Sequence, residues 1–386
     1  MSTDLEARVT PEQLQDLLPK SVLSLRGYNQ TNLGRTTELL SHPKYEPIVA
    51  EYLDRASRVC GEVTGKSISL VDRVRRNEET SLNSYADAVA LIVAVEMAQL
   101  KLLEQFFKIN YRKCMLSFGF SLGEIAAVVA GGILEMEDAL RIPLALSADC
   151  VALADNVSLA VVFSREEKIP FEEIQRMCLL ISGEGKGAIG ISTMLAPNSL
   201  LVLGQGFTMD RLREMIHGQF PKKVFLRVNQ GDWPPLHTCI MWQKAIPNRA
   251  AVLMQTTKFN LEKPTPPILS LVTGKISYDK LNALDLIHKW VDHTQRLWDA
   301  INESLVMGVE TFIHVGPEPN IVPATLKRLK DNIEGQARAS FGMRALSAAA
   351  QRRWLQSILP QRTALLRATT VRQINLEDWL LEQKDF

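Results

Sequence analysis

The feature that most constrains the fold of this 386-residue chain is the stretch at residues 114–132, CMLSFGFSLGEIAAVVAGG. An apolar run leads into Gly-Phe-Ser-Leu-Gly at 119–123, and an Ala/Val-rich helical segment follows. This order predicts a strand, a sharp turn and a helix, the layout of a nucleophile elbow, whose glycines sit where the backbone leaves no room for a Cβ. Ser121 is the candidate nucleophile, although a strand-turn-helix with a non-catalytic serine at its surface has the same sequence pattern.

Composition excludes several functional classes. Hydrophobic residues make up 46% and charged residues 23% of the chain, and the net charge is +1, so it lacks the basic surplus typical of nucleic-acid binding. The five cysteines form no Cys-x-x-Cys pair, which favours reduced thiols in a cytosol over disulfides or a zinc site. The most apolar window, 86–103, contains Asp87 and Glu96 and predicts a buried helix rather than a membrane span. We therefore expect a cytoplasmic protein that binds neither nucleic acid nor membrane; its oligomeric state stays open.

The pattern along the chain predicts an α/β fold in several parts. Residues 1–20 are expected to be an N-terminal helical extension, and residues 21–155 with 229–330 an α/β core. Between them, 156–228 read strand, helix, strand, strand, helix, strand, the order of a ferredoxin-like subdomain. Residues 331–386 form a C-terminal extension with apolar residues on one helical face (Leu346, Ala349, Trp354, Leu355 and Ile358) and an apolar group at 379–381. This extension is expected to pack on the body, with a docking surface as the alternative.

A serine nucleophile needs a base within hydrogen-bond reach. The chain has six histidines, and His237 follows Pro-Pro-Leu at the end of a predicted strand, where a rigid base would be wanted. His314 lies inside an apolar strand, a position typical of a core histidine. Spacing alone makes His237 a candidate without deciding for it.

Three motifs in one order resemble a known family. Gly-Phe-Ser-Leu-Gly-Glu at 119–124 is followed by Pro-Leu-His-Thr at 235–238 and Phe-Ile-His-Val-Gly-Pro at 312–317. The chain resembles the malonyl-CoA:acyl-carrier-protein transacylase family, which carries Gly-His-Ser-Leu-Gly-Glu, a Pro-Phe-His-Ser-type loop and a Val-Gly-Pro-Gly turn at similar separations. Gln-Arg-Leu-Trp at 295–298 is similar to a further segment of that family. The resemblance covers roughly residues 20–330 and implies an α/β-hydrolase-like core with a parallel sheet and an inserted ferredoxin-like subdomain.

The resemblance implies a Ser-His dyad that works through an acyl-enzyme. Ser121 would attack the thioester of an acyl-CoA substrate with His237 as base, and the thiol of an acyl carrier protein would then take the acyl group. A main-chain carbonyl near Val291 would orient the histidine. The oxyanion hole would combine the Leu122 N–H with one from the loop after the first strand. No cofactor or metal is implied.

Departures from the family pattern bear on specificity. Tyr28 stands where the family has the glutamine whose N–H serves the oxyanion hole, and Phe120 replaces the histidine before the serine, which makes the pocket floor more apolar. By register Leu146 occupies the position of the arginine that pairs with a malonyl carboxylate in that family. A neutral acyl group is therefore expected, unless a local shift lets Arg141 or Arg112 supply the charge.

Two other functions stay open at this point. A general α/β serine hydrolase or thioesterase would use water in place of the carrier thiol, but such enzymes usually place their histidine late in the chain. A non-catalytic acyltransferase-like binding protein is the other alternative, because both the oxyanion loop and the arginine position are altered.

Overall fold

The computed structural model describes residues 9–165, 168–221, 223–260, 262–279, 281–339 and 360–383. Helices and strands follow one another along the chain as α1 (Pro11–Leu17), β1 (Ser21–Leu25), α2 (Thr36–Ser41), α3 (Glu46–Thr64), α4 (Leu70–Arg75), α5 (Tyr85–Phe107), β2 (Leu116–Gly119), α6 (Leu122–Ala130), α7 (Met136–Ala154), β3 (Val157–Ser164), α8 (Phe171–Gly183), β4 (Ile189–Ala196), β5 (Ser199–Gln205), α9 (Thr208–Gln219), β6 (Val224–Asp232), α10 (Ile246–Met254), β7 (Leu269–Ser270), β8 (Lys275–Ile276), α11 (Ala283–Trp290), α12 (Leu297–Met307), β9 (Thr311–Val315), α13 (Ile321–Ala339), α14 (Pro360–Arg367), β10 (Arg372–Asn375) and α15 (Leu376–Glu382).

A parallel sheet with strand order β10-β9-β1-β2 forms the centre of the molecule. Every residue of β1, β2 and β9 is buried, as expected for a parallel sheet covered by helices on both faces. Leu25, at the end of β1, pairs with Gly119 on one side and Val315 on the other. The predicted mixed α/β fold with a parallel sheet is confirmed, and this register brings three strand ends to one edge.

The long helix α5 lies against this sheet and is almost entirely buried. Two buried polar residues of this helix bind the backbone at the sheet edge. Glu96 Oε1 accepts from the Arg26 N–H at 2.7 Å, and Gln99 Oε1 accepts from the Gly316 N–H at 2.8 Å. The apolar window at 86–103 is thus a core helix, as predicted. Among the described residues, no helix is long and apolar enough to cross a membrane.

A second sheet, antiparallel and of order β4-β5-β3-β6, is built from residues 157–232. The apolar faces of α8 and α9 pack on it around a core of its own that includes Ile174, Leu212 and Val202. Thr193 of β4 forms a parallel bridge with Gln295, which links this sheet to the segment between α11 and α12.

That bridge explains a break in a predicted helix. The sequence pattern of residues 284–307 predicts a mostly helical segment, yet α11 ends at Trp290 and α12 begins at Leu297. Between them residues 291–293 form a turn and a bend, and Gln295 then pairs with β4, since the Gln295 N–H donates to Ser192 O and Gln295 O accepts from the Met194 N–H, both at 2.8 Å. Pairing with the second sheet outweighs local helix propensity here.

The described part of the C-terminal extension packs on the body. Strand β10 lengthens the parallel sheet beside β9, and α15 places Trp379 against Phe107 with ring centroids 4.9 Å apart. The Trp379 Nε1–H also donates to Val9 O at 2.7 Å. The predicted helical face at 346–358 lies outside the described residues.

Candidate active site

The elbow forms as the glycine pattern requires. Strand β2 ends at Gly119 and α6 begins at Leu122, so Ser121 is the residue before the helix, with a positive φ of 54°. A Cβ on Gly119 would overlap the backbone of Gly123, and one on Gly123 would overlap the carbonyl groups that end β1. The Ser121 N–H donates to Gln295 Oε1 at 3.3 Å, and its carbonyl accepts from Trp290 Nε1 at 2.7 Å. The strained serine is therefore held by hydrogen bonds on both sides.

Ser121 and His237, 116 residues apart in sequence, meet in space. Ser121 Oγ lies 2.8 Å from His237 Nε2, and His237 Nδ1 lies 2.7 Å from the carbonyl oxygen of Trp290. The orienting carbonyl was expected near Val291, one residue later. Val291 O is instead occupied by the backbone N–H of His237 at 2.9 Å, so both carbonyl groups fix the histidine loop.

The protonation of His237 follows from its surroundings. Burial lowers the pKa of His237 to about 4, against the opposing effects of the Trp290 carbonyl and of Asp292. The ring is therefore neutral near pH 7. Because a carbonyl can only accept, Nδ1 carries the proton and donates to Trp290, and the lone pair on Nε2 faces the Ser121 hydroxyl. This is the arrangement that a general base for serine needs.

The two segments predicted to supply the oxyanion hole, the start of α6 and the loop after β1, both lie next to Ser121. Leu122 is the first residue of α6, so its N–H has no partner within the helix. The loop after β1 lies against the elbow, because a Cβ on Gly27 would come within 3.2 Å of Ser121 Cβ. Tyr28 follows in this loop, and its ring packs edge-on against Tyr85 with centroids 4.9 Å apart.

Sequence reasoning missed the residue that holds this loop. Arg26 is completely buried, and its guanidinium donates to Pro317 O at 2.5 Å, Gly27 O at 2.8 Å and Asn32 Oδ1 at 2.7 Å. A charged residue at the end of an apolar strand, together with Glu96 in an apolar helix, was the available signal, because buried charges require partners. Arg26 therefore stabilises the loop through these hydrogen bonds, and it does not line the cavity described next.

A cavity of about 80 Å³ opens beside the dyad. Its walls are mostly aromatic and leucine side chains from the elbow, α5 and the second sheet, and its lining residues are Tyr28, Tyr85, Phe120, Ser121, Leu159, Ser192, Thr193, Leu201, Leu203, Trp233, Pro234, Leu236 and His237. Neither Lys nor Arg occurs among them. Within the described ranges, no group of three or more His, Cys, Asp or Glu is placed to hold a metal ion.

Comparisons with known proteins agree with this architecture. No protein-family model matches the chain. In sequence it is 24% identical over 279 residues to polyketide synthase GfsA of Streptomyces halstedii, an alignment that covers 71% of this chain and 3% of that much longer protein. In structure it matches the malonyl transacylase MCAT of Streptococcus pneumoniae with a TM-score of 0.63 and 22% identity, covering 78% of this chain and 90% of that one. The chain has the fold of the malonyl-CoA:acyl-carrier-protein transacylases.

A further structural neighbour is a malonyl-transacylase solved in complex with its type II polyketide acyl-carrier protein. It has a TM-score of 0.63 and 18% identity over 79% of this chain and 91% of that one. The family resemblance seen in the sequence is thus confirmed for the fold.

The transacylase fold allows the specificity residues to be placed. Phe120 and Tyr28 line the cavity, but Leu146 lies buried in the core on α7 and is not among the lining residues. Arg141 forms a surface ion pair with Glu62 at 2.6 Å, and Arg112 donates to the Thr265 carbonyl. Neither arginine lines the cavity, so a shift in the sequence register does not bring a cation from Arg141 or Arg112 to the acyl group.

Proposed function

We propose that this chain is an acyltransferase that moves an acyl group from an acyl-CoA to the phosphopantetheine thiol of an acyl carrier protein. The observation that carries the proposal is the 2.8 Å contact between Ser121 Oγ, on a positive-φ elbow, and Nε2 of a neutral His237. The transacylase fold supports it, as does the structural neighbour bound to an acyl-carrier protein.

The first half reaction follows from the geometry. Ser121 Oγ attacks the thioester carbonyl while its proton passes to His237 Nε2, and the Trp290 carbonyl holds the resulting imidazolium through Nδ1–H. The negative charge on the former carbonyl oxygen is stabilised by the backbone N–H groups of Leu122 and Tyr28. His237 then returns the proton to the departing CoA sulfur, leaving acyl-Ser121. The carrier thiol repeats these steps in reverse, so the kinetics are ping-pong and no cofactor is needed.

The acyl group is proposed to be neutral. A malonyl carboxylate in this cavity would be removed from water without a cationic partner among the lining residues, at a cost of several kcal/mol. Malonyl selectivity is therefore not favoured, even though the fold is shared with malonyl transacylases.

The proposed division of the chain follows the two sheets. Residues 21–155 and 229–330 would form an α/β-hydrolase-like acyltransferase core, with extensions at 1–20 and 331–386. Residues 156–228 would form a ferredoxin-like subdomain, which the antiparallel order β4-β5-β3-β6 with two helices on one face supports. All five cysteines are free thiols, which supports a place in the reducing cytoplasm.

Intact-protein mass after mixing with acetyl-, propionyl- or malonyl-CoA tests the function. We expect a neutral acyl adduct on the wild type that Ser121→Ala loses and that Ser117→Ala, a change at a buried serine in the preceding strand β2, keeps. Transfer of that adduct to a phosphopantetheinylated carrier protein completes the test. CoA release without an adduct or transfer would instead identify a thioesterase, and neither adduct nor CoA release would identify a non-catalytic binding protein.

A further inference from the structure

Some of the polar groups that line the cavity beside Ser121 are buried and lack a hydrogen-bond partner among the described residues. Thr193 lines the cavity and is 1% exposed, yet its hydroxyl has no hydrogen-bond partner among the described residues. The indole Nε1–H of Trp233, which also lines the cavity, is buried and equally unpartnered within the same part of the chain. Buried polar atoms without partners are rare in folded proteins and call for an explanation.

Gln295 adds a third such group. Its Oε1 accepts from the Ser121 N–H, an assignment that is forced because a backbone N–H can only donate. Its Nε2 is therefore turned away from the serine, and within the described ranges it has no partner, although the residue is completely buried. Thr193 and Gln295 are paired across the parallel bridge, so their side chains leave the backbone on the same face. Gln295 itself is not among the residues that line the cavity, so it lies behind the wall that Thr193 forms.

We propose that this cavity selects a short, neutral acyl group that carries a hydrogen-bond-accepting oxygen, a hydroxyl, ether or keto group, close to the thioester carbonyl. Of the two unpartnered groups that line the cavity, Trp233 Nε1 is a donor only, so the group that satisfies it must accept. The cavity volume of about 80 Å³ suits an acyl group of a few non-hydrogen atoms. The inference rests on the proposed acyltransferase function and specifies its substrate class.

A purely alkyl acyl group fits these walls less well. It would fill the cavity but leave the Thr193 hydroxyl and the Trp233 indole N–H buried and unpaired, which is how a hydrogen-bonding site rejects an analogue that lacks the polar group. A carboxylate would satisfy the donors, but its full charge would lack a cationic counterpart, which the neutral oxygen does not require.

The test compares thioesters of equal size. Hydroxyacetyl-CoA and propionyl-CoA differ by OH against CH₃, and malonyl-CoA supplies the carboxylate. Single-turnover acylation of Ser121 is followed by quenched intact-protein mass, and each rate ratio is divided by the ratio for the same thioesters reacting with a small thiol in solution. This correction removes the intrinsic reactivity of the hydroxyacetyl thioester.

We expect the wild type to favour hydroxyacetyl over propionyl by about tenfold or more after correction. Thr193→Val and Trp233→Phe, which remove one polar group each at nearly constant shape, should each reduce that preference by roughly threefold to tenfold. Thr36→Val is the matched control, because Thr36 is also a buried threonine with an unpartnered hydroxyl but does not line the cavity. It should keep the wild-type ratio.

The possible results separate a failure of the proposed substrate class from a failure of the proposed acyltransferase function. Acylation with a corrected ratio near one, or with a ratio that neither cavity variant changes, would overturn the substrate class and leave the acyltransferase intact. Faster acylation by malonyl-CoA than by hydroxyacetyl-CoA would overturn the requirement for neutrality. Absence of acylation by any thioester, in a protein with a normal melting transition, would overturn the proposed function and this inference with it.

Discussion

The pH dependence of Ser121 acylation is the sharpest consequence of the burial of His237. The proposed mechanism needs the ring neutral, since only a free lone pair on Nε2 can accept the serine proton. Burial lowers the pKa of His237 to about 4, whereas an exposed histidine has a pKa of about 6.5. Acylation is therefore expected to persist well into the acidic range.

The difference is large enough to measure. At pH 5.5 a group with a pKa of about 4 is only ~3% protonated, while one with a pKa of about 6.5 is ~90% protonated. The acylation rate at pH 5.5 should thus remain within about 10% of its value at pH 7.5, instead of falling about tenfold. A shift of one unit in the pKa of His237 would still leave most of the enzyme active at that pH.

The assay is single-turnover acylation between pH 4.5 and 8, quenched and read as intact mass. His314 provides the control, because burial in β9 also lowers the pKa of this histidine to about 4 but its Nε2 contacts Gln373, not the dyad. His314→Gln should leave the profile unchanged once its melting transition shows a folded protein. A wild-type rate that halves near pH 6.5 would refute the argument that His237 is desolvated in the working enzyme.

Three further substitutions test the site and the packing. His237→Gln should slow acylation by about 10²- to 10⁴-fold, measured in the same assay, without loss of the folded state. Gly119→Ala should lower the free energy of unfolding by about 3 kcal/mol or more, because the added Cβ would overlap the backbone of Gly123. Gly183→Ala is the control, because the space around that position is open, and thermal melts should show a neutral or slightly stabilising effect. Trp379→Ala should cost about 3–5 kcal/mol because the indole is 5% exposed, while Trp242→Ala, at a 64% exposed position, should cost less than about 1 kcal/mol; equal losses would contradict the described packing of α15.

The parts of the site that could be predicted are those encoded locally. The elbow needs only a strand, two glycines and a helix within one short stretch, so its pattern is visible in the sequence. His237 lies 116 residues away, and no local rule separates it from the other histidines; the family resemblance, not the spacing, favoured it. The orienting carbonyl of Trp290 was missed by one residue, because its position depends on where α11 ends.

The end of α11 shows why the other features of the site could not be predicted from the sequence. Residues 291–296 leave the helix to pair with β4, and that pairing joins segments about 100 residues apart. Local helix propensity depends only on nearby residues, so it does not predict pairing with a segment that is distant in sequence. For the same reason the sequence pointed to Leu146 as the specificity position by counting from the serine, while Thr193 in β4 and Trp233, which directly follows β6, line the cavity.

One short segment, residues 290–295, connects the nucleophile to this wall. Its first residue, Trp290, binds the Ser121 carbonyl through the indole and orients His237 through its own carbonyl. Its last residue, Gln295, accepts from the Ser121 N–H and pairs with Thr193 on the second sheet. A displacement of the second sheet relative to the parallel sheet must therefore move a hydrogen-bond partner of the nucleophile. The geometry of the dyad and the choice of acyl group are coupled through this segment, so substitutions in it should change acylation rate and acyl preference together.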